Sequence, residues 1–272
     1  ENNTPLDVGN KAGVIQAYKG HIWSNSYYIN MVKFDQNWNA EWNYQLTSTD
    51  GYQRYNSLSV SPFSDKVIIS TTNEAGSPII IMLNNGTESF RYTSDNPEIT
   101  SIRFLTFSGE HIYAYGVKNA SPSNGVLFVF NHQLEKFQVS DDMNIDKIIA
   151  SPNGIIIGAE NTLTAFDSNL AQQWELSSPN NLSTTRLIEG DQHFYLYEEK
   201  NQELAASYYY AASSTVESYS YDGSFEWEYR AQRTGYRTNF QNTTIEEIDS
   251  ENIVLTYKQD ISSLPDLTDA LM

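Results

Sequence analysis

Three sets of residues in this chain stand at spacings that could do chemistry. Histidine comes first. His21, His111, His132 and His193 are the four imidazoles among 272 residues, enough to ligate a metal or relay protons. Aspartate comes second. "FDQNWNAEW" (34–42) and "FDSNLAQQW" (166–174) spell one phrase twice, and an acid set before an aromatic could be a general base beside a stacking platform. Third is "DDMNID" (141–146), where Asp142, Asn144 and Asp146 alternate like the start of a calcium loop. Lys147 stands where such a loop needs its sharp-turn glycine, and no Glu follows at the twelfth position.

The elements that carry these residues recur. Weaker copies of the phrase are "LNNGTESF" (83–90), "FNHQLEKF" (130–137) and "YDGSFEW" (221–227). Each has a hydrophobic residue, Asp or Asn, a short polar turn and a closing aromatic: Trp42, Phe90, Phe137, Trp174 or Trp227. A second series, "HIWSN", "KVIIST", "HIYAY", "GIIIGA", "HFYLY" and "NIVLTY", starts at 21, 66, 111, 154, 193 and 252. The mean spacing is about 46 residues, a propeller-blade period. A third series precedes it, including "VIQAY" (14–18) and "IRFLTF". No long segment has helical periodicity.

Four short strands per repeat predict an all-β chain: a β-propeller of four-stranded antiparallel blades. Six blades are expected, over 12–47, 56–93, 100–140, 145–178, 184–231 and 243–272. Residues 1–10 ("NTPLDV") would close the last as a single domain. Five blades with an extra hairpin, or part of a longer propeller, are the alternatives.

The repeat reinterprets the chemistry. His21, His111 and His193 occupy one place in their units, filled elsewhere by Lys66, Gly154 and Asn252. That is a turn position. The phrase's Asp (Asp35, Asp167, Asp222) becomes Asn84 and Asn131 in other copies. An acid–base residue cannot be replaced by Asn, but a turn acceptor can. The closing aromatics are expected on outer strands, packing between blades.

Composition narrows the partners. The formal charge is −18, which repels nucleic acid and anionic membrane. Cations, neutral glycans and basic protein patches remain. There is no cysteine, and so no disulfide or thiolate chemistry. No stretch is long and apolar enough to be a transmembrane helix. The start at Glu-Asn-Asn-Thr, without Met, suggests a removed leader and an extracytoplasmic location: secreted, periplasmic or surface-anchored.

"TLTAFDSNLAQQW" resembles the repeat of quinoprotein-type (PQQ-like) bacterial propellers, where an apolar–Asp pair ends a strand and a Trp follows the turn. The usual Thr-Gly of that turn is absent: Ser168-Asn169 and Gln36-Asn37 stand instead. The family's quinone- and calcium-binding residues have no match here, so the resemblance implies a fold and a non-catalytic scaffold, with no cofactor beyond the calcium candidate. "SYDGSFEW" (220–227) also approaches the Ser-x-Asp-x-Gly-x-x-Trp box of sialidase-type propellers, with its Gly one position early. The seven arginines show no spacing that builds the carboxylate-binding cluster such an enzyme needs.

Binding residues are therefore sought in the loops. "GYQRYN" (51–56) and "GYRTNF" (235–240) each combine Gly, an aromatic and Arg. Tyr52, Arg54, Tyr55, Arg233, Tyr236 and Arg237 form one candidate set. The long insertion 198–218 carries a second, Tyr208, Tyr209 and Tyr210. The sequence thus predicts a non-enzymatic propeller that binds a protein or a glycan through one face. A glycan-active hydrolase or lyase, or a structural module of a larger surface protein, are the alternatives.

Overall fold

The computed structural model describes residues 4–6, 14–22, 26–34, 37, 39–46, 55–60, 66–73, 75–118, 121–177, 182, 185–190, 192–204, 209–236, 240–249 and 252–259. For 4–6, 14–22, 26–30, 46, 55–60, 121–123, 138, 141–142, 199–204, 209–213, 231–236, 240–249 and 252–259 only the backbone is described. Every regular element among these residues is a strand.

Consecutive strands pair antiparallel in chain order, sheet after sheet. The first sheet is β1 (Thr4–Leu6), β2 (Val14–Ile22), β3 (Ser26–Phe34) and β4 (Ala40–Leu46). The second is β5 (Tyr55–Val60), β6 (Lys66–Thr72), β7 (Pro78–Asn84) and β8 (Thr87–Thr93). The third is β9 (Ile99–Ser108), β10 (His111–Lys118), β11 (Ser121–Phe130) and β12 (Lys136–Met143). The fourth is β13 (Lys147–Ser151), β14 (Gly154–Ala159), β15 (Thr162–Asp167) and β16 (Gln172–Ser177). The fifth is β17 (Arg186–Glu189), β18 (His193–Leu204), β19 (Tyr209–Ser220) and β20 (Phe225–Tyr236), and β21 (Phe240–Asp249) pairs with β22 (Asn252–Gln259). These meanders are the blades of a β-propeller, five with four strands and one with two among the described residues.

The N-terminus departs from expectation. Thr4–Leu6 pairs with β2 inside the first sheet, Thr4 opposite Ala17, instead of closing the last blade. "VIQAY" and the start of "HIWSN" are not two strands with a turn between them. They form the single strand β2, whose hairpin partner is β3. Gly20, the turn residue the two series imply, lies within β2 opposite Tyr28 and does not interrupt it.

Inner and outer strands differ as their sequences require. β6, β7, β10 and β14 are buried on both faces, β7 and β14 with mostly apolar side chains and β6 with Ser70 and Thr71 buried beside Val67, Ile68 and Ile69. Outer strands β8 and β16 alternate half-buried and exposed positions, so one face packs and the other meets water.

The chain divides into two compact units, Glu1–Gly154 and Ile155–Met272. In the first, Ile68, Ile80 and Met82 of the second sheet share one core with Ile102, Phe128 and Phe130 of the third. Fully burying each such side chain contributes about 1.5–3 kcal/mol. Polar ties also join neighbouring sheets, the first to the second and the second to the third. Tyr44 donates to Glu88 at 2.7 Å, and Ser70 Oγ to the Ile102 carbonyl at 3.3 Å. Lys136 meets Asp95 at 2.9 Å. In the second unit, Tyr195, Tyr197 and Val216 form a cluster with Ile188 and Trp227.

Candidate functional site

The phrase builds a hairpin turn between third and fourth strands, and the turn explains its polar residues. Leu134 N–H donates to the Asn131 carbonyl at 3.0 Å, and Leu170 N–H to the Asp167 carbonyl at 3.0 Å. Asn131 Oδ1 accepts from the backbone N–H of Gln133 and Glu135 at 2.9 and 3.0 Å. Asp167 Oδ1 does the same for Asn169 and Ala171, both at 2.9 Å. This is the three-residue hairpin loop that ends in a left-handed residue, here Leu134 at φ 56° and Leu170 at φ 59°. The carboxylate and the amide do one job, so Asp167 is a turn acceptor, as the Asp/Asn alternation predicts. Asp35 lies outside the described residues.

In the fifth blade the register differs from the sequence alignment. Ser220, not Asp222, occupies the first turn position: Ser220 N–H donates to the Ser224 carbonyl at 3.0 Å, and Gly223 N–H to the Ser220 carbonyl at 2.9 Å. Asp222 sits two residues later, accepting from Ser220 Oγ and, at 2.9 Å, from Ser224 N–H. Those hydrogen bonds hold its carboxyl below the usual carboxylate range. The Ser220-Tyr221-Asp222-Gly223 stretch therefore folds a turn. The second blade uses a shorter one, a two-residue Asn-Gly loop with Asn85 at φ 48° and Gly86 at φ 72°.

Each closing Trp with a described neighbour sits on the glycine of the following blade's turn. A Cβ on Gly223 would lie 3.0 Å from Trp174 Cδ2, and one on Gly86 2.7 Å from Trp42 Cγ. Trp174 also donates to the Tyr221 carbonyl at 3.0 Å and stacks on Phe194, centroids 6.0 Å apart. Sequence spacing found the Trp but not its partner, because the glycine lies in the next repeat. The left-handed slot is Gly where the preceding blade closes with Trp, and Leu134 where it closes with Phe90.

The histidines do not converge. His111 packs on Phe137 at 5.1 Å, His193 Nε2 meets Glu226 at 2.9 Å, and His132 Nδ1 faces Lys66 Nζ at 3.1 Å. The side chain of His21 is outside the described set. Among the described residues no three His, Asp or Glu gather as a metal site. Asp142 lies near the end of strand β12 and Asn144 and Asp146 in the link to β13. The carbonyl of Met143 between them accepts the Tyr115 hydroxyl at 2.8 Å.

Two candidate sets separated in sequence meet in the fifth blade. β17 covers only Phe194–Tyr197 of β18. Strands β18, β19 and β20 run on, twelve residues each. Residues 198–204, 209–215 and 230–236 form a three-stranded ribbon reaching about 20 Å past β17. Tyr209 stands opposite Leu204 on one side and Tyr236 on the other. Tyr210 stands opposite Glu203 and Gly235, and Arg233 opposite Ala212. Arg233 and Tyr236 are thus strand residues, not loop residues. Among the described residues no strand covers the outer edge of 198–204.

The same strand β20 carries Phe225 and Tyr229, 55% and 54% exposed, on either side of half-buried Trp227. These exposed aromatics have no counterpart in the sequence reading, which took only Trp227 as a repeat position. Their i, i+2, i+4 spacing on one strand was the available signal. Tyr55 begins β5, opposite Thr71. Tyr52, Arg54, Tyr208 and Arg237 lie outside the described residues.

No protein-family model matches the sequence. No curated protein matches it either. Solved structures resemble it at low identity. One is the BBS1 N-terminal domain in complex with ARL6, with a TM-score of 0.49 at 10% identity over 94% of this chain and 82% of that one. The WD40 β-propeller domain of Doa1 gives 0.45 at 13% identity, over 93% and 91%. The protein lmo1340 of Listeria monocytogenes gives 0.46 at 13% identity, over 92% and 79%. None of the three reaches a TM-score of 0.5, and the propeller assignment rests on the chain's own sheets and repeats.

Proposed function

We propose that this chain is a protein-binding scaffold that receives its partner on the extended fifth blade. The observation that carries the reading is the ribbon of β18, β19 and β20 past β17, where Tyr209, Tyr210, Arg233 and Tyr236 fall within four successive register rows. Tyrosine and arginine dominate binding energy at protein interfaces. A ribbon with an open strand edge offers main-chain hydrogen bonds to an extended peptide. Phe225 and Tyr229, nearer the start of the same strand, are exposed aromatics as well. The −18 charge favours a basic partner.

The scaffold reading includes an extracytoplasmic location and a PQQ-like repeat ancestry, supported by the polar, Tyr- and Asn-rich composition and by the phrase ending at Trp174. The test is capture of a partner by the wild-type chain, compared with a Tyr209→Ala, Tyr210→Ala, Tyr236→Ala variant. The expected loss is at least tenfold in affinity with unchanged unfolding. Undiminished binding by the folded variant would refute the site. Glycan-array binding that the variant loses, with no protein captured, would replace protein by glycan.

A further inference from the structure

The imidazole of His132 plays no part in the proposed surface, yet its setting is specific. It lies in the third-blade turn Asn131–Glu135, against the first residue of β6 in the second blade. Lys66 Nζ approaches its Nδ1 to 3.1 Å. An ammonium has protons to give and no lone pair, so Nδ1 accepts and the ring's single proton sits on Nε2. That Nε2 is buried, and the Gly109 backbone is a hydrogen-bonding group beside the ring. Phe107 of the shared core meets the ring edge-on, centroids 5.8 Å apart.

We propose that His132 is an acid-sensitive latch on the seam between the second and third blades, closed while the ring is neutral and released when it takes a second proton. Protonation removes the Nδ1 lone pair that receives Lys66. It also places a second cation about one hydrogen-bond length from the ammonium, at a half-buried site where water screens the repulsion only in part. The turn must then move away from the start of β6, or the ring must leave Phe107.

The groups around the ring set the direction. Burial opposes its charge most, and Lys66 from β6 comes next. His111 from the start of β10 adds to them weakly, while Glu110 and the Gly109 backbone, in the β9–β10 turn, pull the other way. On its own turn, Glu135 is engaged by Asn131 Nδ2 at 2.7 Å. The balance holds the imidazole below its ordinary range. The folded state therefore binds the proton less readily than the unfolded chain. Stability is complete above the ordinary imidazole pKa, about 6.5, and is lost as pH falls toward the folded value. Between the two, each pH unit lowers the folding constant by up to about tenfold.

The test compares urea unfolding of wild type and His132→Gln between pH 7.5 and 5.0, with an NMR titration of the His132 ring in the wild type. The Gln carbonyl can still receive Lys66 but cannot take a proton. The expected result is a His132 midpoint below 6.5, and a wild-type folding constant that falls with acid more steeply than the variant's. Hydrogen exchange should quicken at 131–135 and 66–72 in acidified wild type only. In Lys66→Met the His132 midpoint should rise. A wild-type midpoint at or above 6.5 would overturn the proposal, whatever the variants do. So would superimposable pH curves for wild type and His132→Gln.

Discussion

The pairing of Trp174 with Gly223 can be tested by exchanging volume across it. At the positions that Trp174 and Gly223 hold in the fourth and fifth blades, the second and third carry Phe90 and Leu134. Gly223→Leu places a Cβ 3.0 Å from Trp174 Cδ2 and 3.3 Å from Cε2 and Cε3, against an ordinary carbon contact of about 3.5–4.0 Å. Overpacking of this kind costs about 1–3 kcal/mol. The left-handed backbone at φ 88° adds about 1–2 kcal/mol, a cost Leu170 already bears at φ 59° in the same turn type. Trp174→Phe loses the bond to the Tyr221 carbonyl, about 1 kcal/mol, and part of the stack on Phe194, at most about 1 kcal/mol more. The smaller ring makes room for the leucine. The double variant should therefore be more stable than the two single losses predict, by about 1–2 kcal/mol. Equilibrium urea denaturation of all four proteins measures this coupling. Strict additivity, within about 0.5 kcal/mol, would refute the wedge-and-slot account.

Other outcomes follow from the same structure. Trp42→Phe should cost less than Trp174→Phe in the same assay, because the Trp42 indole N–H has no partner among the described residues while that of Trp174 does. Asp167→Asn should leave the unfolding midpoint nearly unchanged and Asp167→Ala should lower stability by about 1 kcal/mol, since the turn amides use Oδ1 alone and the Gln173 Nε2 contact to Oδ2 is exposed. Glu88 is held below the usual carboxylate range chiefly by its hydrogen bond to Arg91, aided by Tyr44. Its contribution is thus present above the unfolded carboxylate pKa and lost as pH falls through the folded one. Acid unfolding of Glu88→Gln should show a shallower pH slope below about pH 4.5 than the wild type.

How much of this was legible beforehand depended on whether the determinant was local. The five phrase copies mark third-to-fourth strand turns because a hairpin of this kind needs an oxygen acceptor and a left-handed residue within five positions. Asp167, Asn131 and the Asn85-Gly86 pair announce them. Asp222 misled the alignment because Ser220 can also open the turn, which shifted the true register by two. The first blade misled it too. "VIQAY" and "HIWSN" look like two members of two series, and nothing in one unit says that Thr4–Leu6 supplies the missing strand. The Trp–Gly contacts and the Lys66–His132 contact join different repeats, so no window shorter than a blade contains them. The candidate residues were found as residue types: Tyr209, Tyr210, Arg233 and Tyr236 were all singled out. Their adjacency was not, because it depends on β20 continuing through Gly235 to Tyr236 in register with Tyr209.

The scaffold reading stands most directly on where a partner touches the chain. Hydrogen–deuterium exchange of the chain with and without its captured partner measures that. The reading predicts slowed exchange in 198–204, 209–215 and 230–236, with the turns of the other blades unchanged. Slowed exchange confined to other blades, with the ribbon unaffected, would contradict it.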